Sequence, residues 1–281
     1  MKLLRHGPKG QEKPAMLDQQ GQVRDLSGLI GDLAPRHLTP EGLTALRAID
    51  VGKLPVVTQG RLGVPWVGMS KFIAIGLNYA DHAAESGMPI PKEPVVFTKA
   101  ISCAVGANHS VVLPRGSVKT DWEVELAVVI GRRASYIDNP ADALDYVAGY
   151  AVSNDVSERE FQMERGGQWD KGKSCDTFNP LGPWIVTADE LRDPQTMNMW
   201  LDVDGQREQS GHTSDMIFNV DHIVWYVSQF MTLEPGDIIN TGTPSGVGIG
   251  KQPPRYLDVG QEMRVGIDGL GEQCVHTVAT P

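Results

Sequence analysis

Residues 121–131 read DWEVELAVVIG, and this stretch decides the fold. The β-branched and aliphatic run from Val124 to Ile130, closed by Gly131, predicts a strand. Successive side chains on a strand point to opposite faces, so Glu123 and Glu125 share one face and Val124 and Leu126 the other. Neighbouring carboxylates repel unless a cation or a proton sits between them. A hard divalent ion with oxygen ligands is the natural partner; a solvent-facing strand carrying two charges is the alternative.

Outward from this strand the chain reads as a succession of short strands. KFIAIGLN (71–78), PVVFTKA (94–100), SVVLP (110–114), AGYAVSND (148–155) and GDIINTG (236–242) are each bounded by turn residues. MWLDVDG with QREQSG, and MRVGIDGLGEQCVHTV near the C-terminus, predict hairpins. Helices are few and brief. YADHAAESG allows one or two turns, and MPIPKEP after it cannot be regular because of its prolines. Asn139 and Pro140 open a helix through Ala148, Thr187 with Glu190 forms a capping box, and residues 219–231 carry apolar groups at helical spacing. The first 65 residues read as a small α/β module: KLLRHG as a strand, PAMLD and VRDLSG as a hairpin turning at Gly21, and a helix opened by Thr39 and Pro40 with Leu43, Leu46 and Ile49 on one face. TQGRLGVPWVG links this module to the body, residues 66–281. The fold class is mostly β with short helices, α+β.

Composition agrees. The 281 residues are 41% hydrophobic and 21% charged, enough apolar side chain for a sizeable core and against intrinsic disorder. The 31 glycines and 19 prolines favour turns between strands over a helical bundle. A net charge of −10, from 25 basic and 35 acidic residues, argues against nucleic acid and anionic membrane as partners. Cys103, Cys175 and Cys274 have no paired spacing, which excludes a disulfide framework and a zinc site and points to a reducing cytoplasm. No signal peptide or membrane span is legible.

A third acid, Asp155, ends the AGYAVSND strand and begins a loop. It reads either as a cap of the next turn or as a ligand completing an oxygen site with open positions. His82 and Glu85, three apart on a short helix, share a face; a carboxylate beside an imidazole fixes its tautomer and raises its basicity, although an exposed surface pair is the commoner case.

Taken in order, NYADHAAE, DWEVELAVVIG, NDVSEREFQ, KGKSCDTFNPLGPW and GDIINTGTPSGVG resemble the fumarylacetoacetate hydrolase family from about residue 70 to the C-terminus. The resemblance implies a β-roll body, a bound Mg²⁺ or Mn²⁺ and a homodimer. It implies Glu123, Glu125 and Asp155 as metal ligands, and His82–Glu85 as a water-activating pair on a mobile lid. Lys173, rather than Lys171, falls at the catalytic lysine. Arg159, Gln162 and Thr243 match substrate-contacting positions. The substrate is then a 2-oxo acid held at its head, and the reactions open to it are hydrolysis of acylpyruvates, decarboxylation of oxaloacetate, and hydration or isomerisation of dienoates. A base for water favours the C–C hydrolase. The segments MKLLRHGPKGQEKPAMLD, GLNYADHAAESGMPIPKEP and RGGQWDKGKSCDTF are similar to the subgroup acting on 2,4-dioxo-3-deoxy sugar acids of L-fucose or L-rhamnose breakdown, giving pyruvate and lactate. Leu77 departs from relatives with a polar residue there. Ureidoglycolate lyase and oxaloacetate decarboxylase are the alternatives on the same site, and a sugar-acid binder without turnover is the alternative of another class.

Overall fold

The structure, a computed structural model, describes residues 1–281 apart from 59 and 192, so Gln59 of the expected linker lies outside the described residues. The centre of the molecule is the strand Val124–Ile130, every residue of which is buried. It pairs antiparallel with Val147–Asn154 on one side and with Ile238–Asn240 on the other. A strand covered on both faces is apolar along most of its length rather than alternating, so Val124, Leu126, Val128 and Ile130 are buried together with Ala127 and Val129, and Glu125 is the polar exception.

The sheet grows outward from this centre. Ile238–Asn240 runs parallel to Phe72–Gly76, which pairs antiparallel with Val95–Thr98. On the other side Val147–Asn154 pairs with Ile185–Thr187, which in turn pairs with Lys2–His6 of the leading segment. Lys2–His6, Lys13–Leu17 and Val23–Asp25 form the antiparallel ladder that ends the sheet, with Gly21 turning at φ +76. The leading segment thus extends the same sheet as the central strands. A second, five-stranded sheet carries the two expected hairpins, Asn198–Val203 with Gln206–His212 and Glu262–Ile267 with Gly271–Ala279, plus Val111–Leu113. The two sheets pack face to face and share one apolar core containing Leu126, Val152, Met199, Leu201, Met263 and Val265. The result is a sheet-dominated α+β fold with few, short helices.

The expected helix at Thr39 is Pro40–Arg47, with the Thr39 hydroxyl accepting from the Gly42 N–H at 3.1 Å. Helix Val220–Ser228 lies within the expected 219–231. Two expectations need correction. The segment after Asn139 is a 3₁₀ helix, Pro140–Tyr146, which stops before Ala148 because the strand Val147–Asn154 begins there, with Val147 paired to Ile130. Thr187 and Glu190 do not form a capping box: the Thr187 hydroxyl accepts from the terminal amine of Met1 at 2.6 Å, and Glu190 pairs with the same amine at 2.7 Å. Both side chains tie the first strand down instead. Among the described residues no helix is long and apolar enough to cross a membrane.

Candidate active site

Where the central strands end, their polar residues converge. Glu123 precedes the strand Val124–Ile130, Glu125 is its second residue, and Asp155 follows the strand Val147–Asn154. Antiparallel pairing sets Glu125 opposite Ser153, and the Asp155 N–H donates to the Glu123 carbonyl at 2.9 Å, so the sheet itself places the three acids together. Each offers an oxygen within 4.8 Å of the others. Glu123 is 3% exposed, Glu125 2% and Asp155 0%, which discards the solvent-facing reading of the Glu pair.

Cations compensate two of the three. The Lys173 ammonium donates to Glu123 at 2.6 Å and to Asp155 at 3.0 Å, and the Arg159 guanidinium lies 2.7 Å from Glu123. Lys99 is ion-paired to the other Asp155 oxygen and donates to the Phe178 carbonyl at 3.2 Å. Burial alone would raise the pKa of Glu123, but the adjacent Lys173 and Arg159 charges outweigh it and hold the carboxyl well below the usual range. Lys173 behaves reciprocally: burial opposes its charge, and Asp155 and Glu123 prevail, so it stays an ammonium. Glu125 has no ion-pair partner among the described residues and accepts only the Gly242 N–H, at 2.8 Å. Burial, reinforced by the charges of Asp155 and Glu123, pushes its pKa well up. Three buried carboxylates, all oxygen donors and one lacking a counter-charge, fit a hard divalent cation.

The helix Ala80–Glu85 follows the strand Phe72–Gly76, whose last residues line the space beside Glu123 and Glu125. His82 is buried, and its Nδ1 is 2.9 Å from Glu85 Oε1. The imidazole is close enough to Glu123 to act on its carboxyl electrostatically. The helix is fastened to the glycine-rich loop: the Gly246 N–H donates to Glu85 Oε2 at 2.9 Å, and the Ser245 hydroxyl donates to Asp81 at 2.6 Å. Gly250 is required by this closeness, since a Cβ there would fall 2.6 Å from the Glu85 carboxylate. His82 and Glu85 are therefore a docked pair rather than an exposed one.

Arg159 precedes a single π-helical turn, Glu160–Glu164, that carries Gln162; such turns are rare and concentrate at functional sites. Arg159 Nη1 donates to Gln162 Oε1 at 3.1 Å and Nε to Asp121 at 2.8 Å. Lys173 closes the short helix Asp170–Lys173. The Thr243 hydroxyl is turned inward, donating to the Val124 carbonyl at 2.9 Å and accepting from Gln209 at 2.7 Å. Trp169, Phe97 and Leu77 wall the space above Glu123 and Glu125. Gly76 lets Trp169 in, since a Cβ there would meet the indole at 2.5 Å.

All nine residues singled out in the sequence thus meet around one cavity or in the shell that supports it. Three others were missed. Lys99 was read only as part of a strand, although a lysine ending an apolar strand is a signal in itself. Asp121, which anchors Arg159 and accepts from the Gly248 and Ile249 N–H groups, stands inside the motif already quoted. Gln209 carried no local signal.

Comparison with known proteins follows the same lines. The model of the fumarylacetoacetate (FAA) hydrolase C-terminal family matches residues 71–279. A Burkholderia ambifaria protein, whose name gives a provisional hydrolase assignment and no substrate, is 60% identical over 279 residues, covering 99% of each chain. Among solved structures, fumarylacetoacetate hydrolase from the psychrophile Exiguobacterium antarcticum is 34% identical with a TM-score of 0.87, covering 100% of both chains. Maleylpyruvate hydrolase from Sphingobium sp. SYK-6, in complex with manganese(II) and pyruvate, is 31% identical with a TM-score of 0.82, again covering 100% of both. This chain belongs to the fumarylacetoacetate hydrolase family.

Proposed function

We propose that the protein is a C–C bond hydrolase of 2,4-dioxo acids of the acylpyruvate type, releasing pyruvate and a second acid. The observation that carries this reading is the His82–Glu85 pair docked over three buried carboxylates. Decarboxylation and ureidoglycolate lysis need no base for water, whereas hydrolysis does. A metal-dependent binder without turnover would use the carboxylates but has no need of a base.

Glu123, Glu125 and Asp155 would hold Mg²⁺ or Mn²⁺, which supplies Lewis-acid polarisation at the head of the 2-oxo acid. Glu85 accepts from the Nδ1–H of His82, which leaves Nε2 as the base. His82 Nε2 takes a proton from water, and the hydroxide adds to C4. The Lys173 ammonium stabilises the oxyanion that forms there. The C3–C4 bond then breaks, C4 leaves as a carboxylic acid, and C3 receives a proton to complete pyruvate. Because the Thr243 hydroxyl is already committed, Thr243 serves the substrate carboxylate through its backbone N–H. Arg159 and Gln162 face the remainder of the substrate. The same proposal takes the acid to be a 2,4-dioxo-3-deoxy sugar acid yielding lactate, supported by the likeness of the leading segments, and the enzyme to be a cytoplasmic homodimer.

The test is His82→Ala with Mg²⁺ present. Release of pyruvate from an acylpyruvate should fall by about 10²–10⁴, while most oxaloacetate decarboxylation is retained. Equal loss of both activities removes the base from the mechanism.

A further inference from the structure

The space over Glu123 and Glu125 does not end at the dyad. Leu77, Gln162 and Trp169 line both that space and an outer one of about 70 Å³, which continues toward the surface. At about 30 Å³ per water molecule, this holds a group of two or three heavy atoms without movement of the walls. Its remaining lining is mainly Met88, Met163 and Ile249. Met88 and Met163 are 38% and 44% exposed, apolar side chains left at a cavity mouth where flexible thioethers adapt to an apolar guest.

Leu77 is held at φ +56, a conformation that branched residues rarely adopt and that asparagine or glycine would take more easily. A strained leucine aimed at a cavity fits a wall kept for its apolar surface.

Arg159 is the one cation lining the outer space among the described residues. Its charge is already spent on Asp121 at 2.8 Å and Glu123 at 2.7 Å. Its Nη2 is buried with no partner. That leaves an N–H able to donate to a neutral oxygen, such as a hydroxyl at C5, with no positive charge in excess for an anion. A carboxylate brought into this space would be desolvated without a counter-ion.

From these residues we infer that the site selects a 2,4-dioxo acid whose acyl tail is short, uncharged and alkyl-ended, and rejects acids whose tail ends in a carboxylate. This rests on the acylpyruvate hydrolase reading and adds the substrate class. A matched pair of acids tests it: 2,4-dioxoheptanoate and 2,4-dioxoheptanedioate share a head and differ by a terminal methyl against a carboxylate.

With Mg²⁺, kcat/KM should favour the methyl-ended acid on the order of 100-fold. Ile249→Lys, which adds a cation to the outer wall, should narrow that ratio at least about tenfold. Leu77→Asn, which suits the left-handed backbone, should narrow it in the same direction by lowering the rate on the methyl-ended acid. Equal rates, or preference for the dioate, overturn the inference. Should neither acid release pyruvate, the hydrolase reading falls on its own. Calorimetry with the same pair then decides the tail: tighter binding of the heptanoate supports the inference, and tighter binding of the dioate overturns it.

Discussion

Among the described residues, two groups of side chains have the spacing of metal ligands: Glu123, Glu125 and Asp155 at the ends of the central strands, and Glu262, Cys274 and His276 on the second sheet. Within each group the ligand atoms lie within 4.8 Å of one another, so distance does not separate them. Their surroundings do. The first group is buried and enclosed by Lys173, Lys99 and Arg159, whose own positions are set by Asp121, Gln162 and the Phe178 carbonyl. The second sits on the paired strands Glu262–Ile267 and Gly271–Ala279, with His276 exposed and 3.2 Å from Glu262. Burial, followed by the charge of Glu262, raises the pKa of the Cys274 thiol. Arg264, opposite Cys274 on the neighbouring strand and 2.6 Å from Glu272, puts a positive charge near the thiol. A metal centre needs oriented ligands held by a second layer of contacts, and among the described residues that layer surrounds the first group.

The contrast is most easily broken at Asp155. Asp155→Asn should lower kcat/KM by at least about 10³ and abolish the rise in melting temperature produced by Mn²⁺. Thermal denaturation with and without the ion, beside a pyruvate-release assay, reads both; retention of the Mn²⁺ effect would detach the acids from the ion. Lys99→Met comes next. It leaves Asp155 buried with one cation in place of two, and removing one partner of a buried pair costs about 3 kcal/mol. Urea unfolding measures the loss, and added Mn²⁺ should restore part of it by supplying the missing positive charge. Without such recovery, Lys99 would be a structural lysine alone. Glu262→Ala is the smallest change. It should alter stability by no more than about 0.5 kcal/mol and leave the Mn²⁺ response as it was. A larger shift would give the surface trio a role and end the contrast.

Much of this site was legible along the chain because its pieces are local. His82 and Glu85 share a helical turn, Glu123 and Glu125 are two apart on a strand, and Asp155 stands at a strand-to-loop boundary. Arg159 and Gln162 follow it four and seven positions later. The strands were legible for the same reason, since β-branched runs between glycines and prolines report local preference. The errors came where a distant segment competed for the same atoms. Thr187 and Glu190 have the spacing of a capping box, yet the terminal amine of Met1 takes both. The helix after Asn139 stops early because sheet pairing claims Val147.

The sequence alone thus determined the order of strands and turns, the residue types of the site and the family they resemble, because each depends on neighbours a few positions apart. Only the tertiary structure decided that Glu125 lacks a counter-charge, that Lys99 and Asp121 belong to the site, and that Leu77, Met88 and Ile249 form one wall. Charge balance and burial are sums over everything nearby in space, and residues as remote in the chain as Lys99 and Asp155 enter that sum only once the sheet has brought their strands together.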